Sequence, residues 1–107
     1  MIRGNTDMIL LARLARRDSY GYEINKAVKR LSGGAYEFSE ATLYTAFRRL
    51  EQEGQIESYW GGEERGARRR YYRITPAGRA ALSGAVAAWT SARETIDRLI
   101  GTEETEA

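Results

Sequence analysis

The chain has 107 residues, 42% of them apolar and 30% charged, a balance typical of one globular domain with a modest core. It contains neither cysteine nor histidine, which excludes disulfides and thiolate metal sites and removes the most common general base and metal ligand. The formal net charge is +2, but residues 1–100 hold 17 basic and 12 acidic groups, so the chain before its acidic end is more basic than the total suggests.

Two helices are predicted in the first third of the chain. Asp7 is a candidate N-cap for a helix over residues 8–15, whose apolar content is too high for a helix with only one buried side. A second helix carries Ile24, Val28 and Leu31 at i, i+4 and i+7 and ends at the two glycines that follow Ser32.

A third helix is predicted to begin at Ser39, a good N-cap, and to end at Gly54. Leu43, Phe47 and Leu50 recur at helical spacing and form its expected buried stripe. The opposite face is polar and basic and consists of Ala41, Thr45, Arg48 and Gln52.

Two strands joined by a glycine-rich loop are predicted next, over residues 55–60 and 68–74. In the first strand, alternation places Ile56, Ser58 and Trp60 on one face. In the second, inward-facing Tyr72 and Ile74 would turn the intervening residues outward, namely Arg69, Tyr71 and Arg73.

Thr75 and Pro76 predict the start of a last helix that runs to about Ile100. Leu82, Trp89 and Ile96 are spaced by seven, and a neighbouring row with the same spacing contains Ala85, Ala92 and Leu99. This heptad seam is too long to be buried on so small a domain, and it predicts a homodimer.

The predicted fold is therefore α+β and mostly helical, a winged helix-turn-helix with a C-terminal dimerisation helix. We assign residues 5–75 to a DNA-binding winged helix-turn-helix, 76–100 to the dimerisation helix and 101–107 to a disordered acidic tail. A basic helix followed by a basic two-stranded hairpin suits double-stranded DNA, since one element can enter a groove while the other contacts the backbone.

Short motifs within these elements resemble the PadR family of bacterial transcription regulators, in particular its short members with one C-terminal helix. The resemblance covers roughly residues 5–100. The matching residues are Gly21-Tyr22-Glu23-Ile24, Thr42-Leu43-Tyr44, Arg48-Arg49-Leu50-Glu51, Gly54-Gln55-Ile56, Tyr71-Tyr72-Arg73-Ile74-Thr75, Ala77-Gly78-Arg79 and Trp89.

The resemblance implies a dimeric repressor that binds a palindromic operator and is released by a small molecule. It also implies that the third helix enters the major groove while the hairpin contacts the flanking minor groove or backbone. The family often has proline after the Thr-Leu-Tyr triplet, whereas this chain has Thr45, which changes the base edge that this position reaches.

Candidate DNA contacts fall on both elements. Hydroxyl groups suit phosphates, and Arg48 is best placed for guanine in the major groove. The candidates on the third helix are Ser39, Thr42, Tyr44, Thr45, Arg48 and Arg49. The candidates on the hairpin are Arg65, Arg68, Arg69 and Arg70, and the second helix adds Tyr22 and Lys26.

Each set has an alternative interpretation. Arg48 or Arg49 can instead form surface pairs with Glu51, Gln52 or Glu53. The arginines of the hairpin can be solvated and offset by the neighbouring acids, Glu63 and Glu64.

Trp89 has two interpretations as well. Helical spacing favours packing in the core or in a dimer interface. The resemblance adds an effector role, since some relatives bind flat aromatic compounds between paired tryptophans. The candidate residues for dimer contact or effector binding are Met8, Leu11, Leu82, Ala85, Val86, Trp89, Ala92, Arg93, Ile96 and Leu99.

We expect the protein not to be an enzyme and to require no cofactor or metal, since its carboxylates are scattered among arginines. No apolar run reaches the roughly 18–20 residues of a membrane span, and the N-terminus does not resemble a signal peptide, so a cytoplasmic location is expected. Two alternatives remain: a winged-helix module that binds an acidic protein partner, and a DNA-binding regulator without a small-molecule effector.

Overall fold

A computed structural model of the chain describes residues 3–62 and 68–101. A short 3₁₀ turn, Arg3–Asn5, precedes the first helix. Within the described residues the helices are α1 (Thr6–Arg16), α2 (Gly21–Leu31), α3 (Glu40–Gln52) and α4 (Pro76–Ile100). The strands are β1 (Ser19–Tyr20), β2 (Ile56–Gly61) and β3 (Arg69–Ile74).

β3 lies at the centre of an antiparallel sheet in the order β1-β3-β2. Opposite residues in β2 and β3 include Ile56 with Ile74 and Ser58 with Tyr72. Tyr72 and Ile74 are buried, and the predicted alternation of β3 is confirmed. We call the hairpin of β2 and β3 the wing.

The core lies between the first three helices and the inner face of the sheet. Leu43, Phe47 and Leu50 of α3 are each at most 3% exposed, which confirms the predicted stripe. The ring of Phe47 stacks on that of Tyr72 with centroids 4.0 Å apart, so α3 is fixed directly to the centre of the sheet. The predicted fold class, a mostly helical winged helix-turn-helix, is confirmed.

Strand β1 was not predicted from the sequence. Ser19 pairs with Tyr72 and Tyr20 pairs with Tyr71. Two residues are too few for an alternating pattern to be visible, so this strand forms because tertiary pairing to β3 is available.

Three predictions about individual residues are wrong. Asp7 does not cap α1, because Asn5 occupies the cap position and Asp7 lies in the first turn. Leu31, at the end of α2, is 63% exposed. The loop before α3 instead contributes Phe38 to the core, where two 2.8 Å hydrogen bonds join its backbone to the amide of Asn25.

The third correction concerns Leu11, a candidate for dimer contact or effector binding. This side chain is 2% exposed and packs with Leu10 and Leu14 in the chain's own core. It lies on the same side of α1 as its neighbours in the core, where a partner chain or a small molecule does not reach it.

α4 begins as predicted. Thr75 caps it, since its hydroxyl accepts a 3.1 Å hydrogen bond from the backbone of Gly78, and Pro76 occupies the first turn. A Cβ at Gly78 would lie 2.1 Å from the backbone oxygen of Gln55, so only glycine permits this approach of α4 to the start of the wing.

Most of α4 extends away from the core. Ala81 and Leu82 pack against the core, whereas every described side chain from residue 91 to residue 100 is exposed. The protein is accordingly elongated, with principal dimensions of 67 × 30 × 22 Å. None of the described helices is both long enough and apolar enough to cross a membrane.

Candidate nucleic-acid interface

The helix-turn-helix pair is set by a close approach of α2 to α3. A Cβ at Gly21 would lie 3.3 Å from Leu43 and 3.6 Å from Phe47, so a residue without a side chain allows α2 to start directly against α3. With its apolar side held there, α3 presents its opposite side to solvent.

The N-terminus of α3 carries two of the candidate residues. Ser39 accepts a 3.1 Å hydrogen bond from the backbone of Thr42 and donates a 3.0 Å hydrogen bond to the hydroxyl of Thr42. Both residues are exposed, so their hydroxyls form the cap and still border the positive end of the helix dipole.

Tyr44, Thr45 and Arg48 form the exposed face of α3. Tyr44 is 48% exposed and its ring contacts the edge of Phe47, which restricts its orientation. Arg48 forms no ion pair with any residue that the structure describes. Its guanidinium is thus available for a ligand.

Arg49 has a different position. Its guanidinium forms an ion pair with Asp7 of α1, and its Nε donates a 3.3 Å hydrogen bond to that carboxylate. These hydrogen bonds raise the pKa of Arg49 above its ordinary value. The surface-pair interpretation of Arg49 therefore holds, but with an acid from another helix. The DNA contact of Arg49 stays a prediction.

The arginines of the wing divide between its two faces. Arg70 faces α3, where it forms a 3.6 Å ion pair with Glu51 and where Ser58 donates a 2.7 Å hydrogen bond to the same carboxylate. Arg69 lies on the opposite face, 4.8 Å from the ring centroid of Tyr20. The two arginines thus leave opposite faces of β3, although both side chains border the same cleft.

Trp60 is the residue that sequence analysis placed on the wing but left out of the site. Its side chain is 55% exposed, and the guanidinium carbons of Arg68 and Arg70 lie 5.1 Å and 5.9 Å from its ring. A large exposed aromatic ring alternating with arginines in one hairpin was the available indication.

These side chains border one cleft between α3 and the wing. The cleft encloses a volume of about 550 Å³ and exposes aromatic rings beside guanidinium groups. Its functional lining consists of Tyr22, Tyr44, Trp60, Arg68, Arg69 and Arg70. Arg65 and the acids Glu63 and Glu64 lie outside the described residues, so their roles stay predictions.

Tyr22 and Lys26 of α2 flank the other side of α3. Tyr22 is 70% exposed, and the ammonium nitrogen of Lys26 lies 5.7 Å from its ring centroid. Both line a cavity of about 470 Å³ together with Ser39 and Tyr44. The structure thus brings the candidates of α2 and α3 to one surface.

The remaining candidates lie mainly on α4. Val86, Trp89, Ile96 and Leu99 are 44%, 37%, 52% and 77% exposed, respectively. Ala92 and Arg93 are also exposed, whereas Met8, Leu82 and Ala85 are half-buried. Apart from Leu11, the candidate set therefore remains accessible. In the described part of the chain, no three carboxylates are grouped closely enough to hold a metal ion.

The comparisons with known proteins agree with this geometry. Residues 10–84 match the model of the Transcriptional regulator PadR-like family. A transcriptional regulator from Clostridium thermocellum is 42% identical, with a TM-score of 0.83 over 92% of this chain and 96% of that one. A PadR family transcription regulator from hypervirulent Clostridium difficile R20291 is 30% identical, with a TM-score of 0.77 over 91% of this chain and 99% of that one.

A curated protein of Lysinibacillus sphaericus, described only as uncharacterized, is 42% identical over 97 residues, which are 91% of this chain and 89% of that protein. The family model spans most of the chain and includes α2, α3 and the wing. The resemblance inferred from the motifs is thereby confirmed. The chain belongs to the PadR-like family of transcriptional regulators, which bind DNA.

Proposed function

We propose that the protein is a homodimeric repressor that binds a palindromic operator and is released by a small aromatic or hydrophobic effector. Two copies associate through α4, and each inserts α3 into one of two successive major grooves, about 34–36 Å apart. Membership in the family favours this function over a module that binds an acidic protein.

The apolar exposed side of α4 is the observation that carries the proposal. Trp89, Ile96 and Leu99 lie on the heptad seam and are at least 37% exposed in a single chain. Complete burial of such a side chain stabilises an assembly by roughly 1.5–3 kcal/mol. A second α4 offers a matching apolar surface, because a two-fold interface uses the same residues from both chains.

The DNA contacts that we propose combine base recognition with backbone binding. Arg48 reads guanine, and Tyr44 and Thr45 contact neighbouring base edges or phosphates. The backbone contacts come from the cap of α3, from α2 and from the wing, namely Ser39, Thr42, Tyr22, Lys26, Arg68, Arg69, Arg70 and, outside the described residues, Arg65.

The effector is proposed to bind beside Trp89. Ala85, Ala88 and Ala92 are small neighbours on α4, so an aromatic compound has space next to the indole between two chains. Binding would shift the dimer towards a spacing of α3 that does not match the operator. The alternative, a regulator without an effector, predicts that no such compound weakens DNA binding.

The first experiment measures assembly and DNA preference together. Sedimentation at micromolar concentration is expected to show a dimer. Selection from random duplexes at about 150 mM salt, near physiological ionic strength, is expected to yield a palindrome bound at least about 10³-fold more tightly than random sequence. A monomer without a preferred duplex would refute the proposal.

The effector experiment uses the two tryptophans separately. Trp60 lies on the wing and Trp89 on α4, so a Trp60→Phe protein reports only on Trp89 by fluorescence. Planar aromatic compounds are expected to change this fluorescence and to release the selected operator. Equal binding of the same compounds to a Trp89→Ala protein would remove the assigned pocket.

A further inference from the structure

A second basic surface lies outside the cleft between α3 and the wing, in the groove between the C-terminal half of α1 and α2. The groove encloses a volume of about 800 Å³. Five cationic side chains line it and define what we call the α1–α2 basic groove: Arg13, Arg16, Arg17, Lys26 and Arg30.

The positive charge of this groove is largely unbalanced. Among its described lining residues the one acid is Glu23, which already accepts hydrogen bonds of 2.6 Å from Ser19 and 3.3 Å from Arg17. Arg13, Arg16 and Arg30 form no ion pair with any other residue that the structure describes. An anion from outside the chain would therefore meet several uncommitted guanidinium groups.

The cations also repel each other. Burial and the charges of Arg16, Arg30 and Arg17 lower the pKa of Arg13. Arg13 and Arg16 are three residues apart on α1, and Lys26 and Arg30 are four apart on α2, so like charges neighbour each other on both helices, which destabilises them. Glu23 offsets only Arg17, so the repulsion among the other cations points to a ligand that relieves it.

The groove continues into the surface proposed to face DNA. Lys26 lines both the groove and the cavity beside Tyr22 and Ser39. Tyr20 lines both the groove and the cleft of the wing, under the guanidinium of Arg69. From Tyr20 to Arg30 the groove follows α2 for about 15 Å at 1.5 Å per residue, a length of about four base-pair steps.

We propose that the α1–α2 basic groove is a second phosphate-binding site, which holds the DNA backbone beyond the half-site contacted by α3 and the wing. This inference rests on the proposed DNA-binding function. Arginine suits the site, since its planar guanidinium binds phosphate oxygens in pairs. The site adds affinity without sequence preference, because phosphates carry no direct sequence information.

The test compares two duplexes derived from the selected operator. One ends at the palindrome, and the other carries ten additional base pairs of unrelated sequence on each side. The wild-type protein is expected to bind the longer duplex about tenfold more tightly. Its log–log salt dependence is expected to be steeper by about 0.9 for each added phosphate contact.

Two variants that remove the same charge distinguish an effect of the groove from an effect of the net charge of the protein. Arg16→Gln/Arg30→Gln is expected to lose the gain on the longer duplex and to keep the wild-type affinity for the shorter one. Arg79→Gln/Arg98→Gln removes the same charge from exposed positions of α4 and is expected to keep the gain. The groove variant is also expected to melt at the wild-type temperature or above, since repulsion is relieved.

Several outcomes would overturn the assignment. These are no gain in the wild type, equal loss in both variants, or a lower melting temperature of the groove variant. Inorganic pyrophosphate tests whether the groove binds a free phosphate compound instead. If pyrophosphate raises the melting temperature of the wild type but not of the groove variant, and the longer duplex gives no gain in affinity, flanking DNA is not the ligand. Absence of specific binding to either duplex would instead contradict the proposed function.

Discussion

Helices α3 and α4 differ in where their apolar side chains lie. In α3, Leu43, Phe47 and Leu50 are buried in the chain's own core, and the exposed side is polar. In α4, Trp89 and Leu99 are among the exposed apolar residues, and Gly78 is its buried residue. One helix therefore suits a charged, hydrated ligand and the other an apolar partner, so the two functions can be disrupted separately.

The strongest disruption is expected from charges on the seam of α4. Ile96→Asp/Leu99→Asp should give a monomer, because aspartates would be desolvated against a second helix. Loss of bivalent binding should weaken operator affinity by about 100-fold or more. Sedimentation and operator titration provide the measurement.

The control for that variant is Ala87→Asp/Ser91→Asp, which places the same charges on exposed positions of α4 away from the seam. It should remain dimeric and bind the operator with at most a small loss. A dimeric Ile96→Asp/Leu99→Asp protein would show that the exposed apolar side of α4 has another role.

Arg48 and Arg49 allow a comparison within α3. The two residues are adjacent, but Arg49 forms an ion pair with Asp7, whereas Arg48 forms none with the described residues. Arg48→Ala should weaken operator binding by about 10- to 100-fold and relax preference at one base pair, in line with about 1–3 kcal/mol for an arginine–guanine pair. Arg49→Ala should instead lower the stability by at most about 1 kcal/mol, as for an exposed ion pair.

Titrations with operators altered at single positions, together with thermal unfolding, measure both effects. If Arg49→Ala weakened DNA binding as much as Arg48→Ala without loss of stability, the role of the Asp7–Arg49 pair described here would be incorrect.

A smaller effect is expected for Trp60, which contacts Arg68 and Arg70 on the wing. Trp60→Leu should weaken operator binding by at most about 5- to 30-fold, because a cation–π contact is worth about 0.5–1 kcal/mol at an exposed site and two are lost. Trp60→Phe should retain most of the affinity. Equal losses in both variants would indicate that the indole contacts DNA itself rather than orienting the arginines.

The smallest effect concerns the outer face of the wing, where Tyr59 donates a 2.6 Å hydrogen bond to Asp18. This hydrogen bond raises the pKa of Tyr59 above its ordinary value of 10.0. The stability that this hydrogen bond contributes to the folded protein is therefore fully present below that value and is lost as the pH rises through the higher pKa of the folded state. Wild type should exceed Tyr59→Phe by about 1 kcal/mol at pH 8, and thermal unfolding should show the difference shrinking at alkaline pH.

Periodic patterns predicted the elements whose residues repeat. The stripe of α3, the inward face of β3 and the cap at Thr75 all depend on residues within a few positions of one another, and the structure confirms each. The short sequence motifs within these elements were sufficient to identify the family.

The incorrect predictions involve contacts between distant parts of the chain. Asp7 and Arg49 are separated by 42 positions, so no local pattern reveals their pairing. Leu31 fits a helical stripe but is 63% exposed, whereas Phe38, in a loop that hydrogen-bonds to Asn25 of α2, is buried. β1 forms because β3 offers backbone groups for hydrogen bonding. The two residues of β1 carry no pattern from which this pairing could be predicted. In the site, alternation already placed Arg69 on the outer face of β3, whereas the ion pair of Arg70 with Glu51 joins two elements and became visible only in the structure.

A single residue, Thr75, connects β3 to α4. Its backbone nitrogen donates a 3.0 Å hydrogen bond to Gln55, and its hydroxyl donates a 2.7 Å hydrogen bond to Gly54, directly after α3. The start of α4 is thus hydrogen-bonded to the segment that follows α3. In the proposed dimer, α4 would act as a lever arm, and a small change in the angle between two such arms would swing the DNA-reading helices apart.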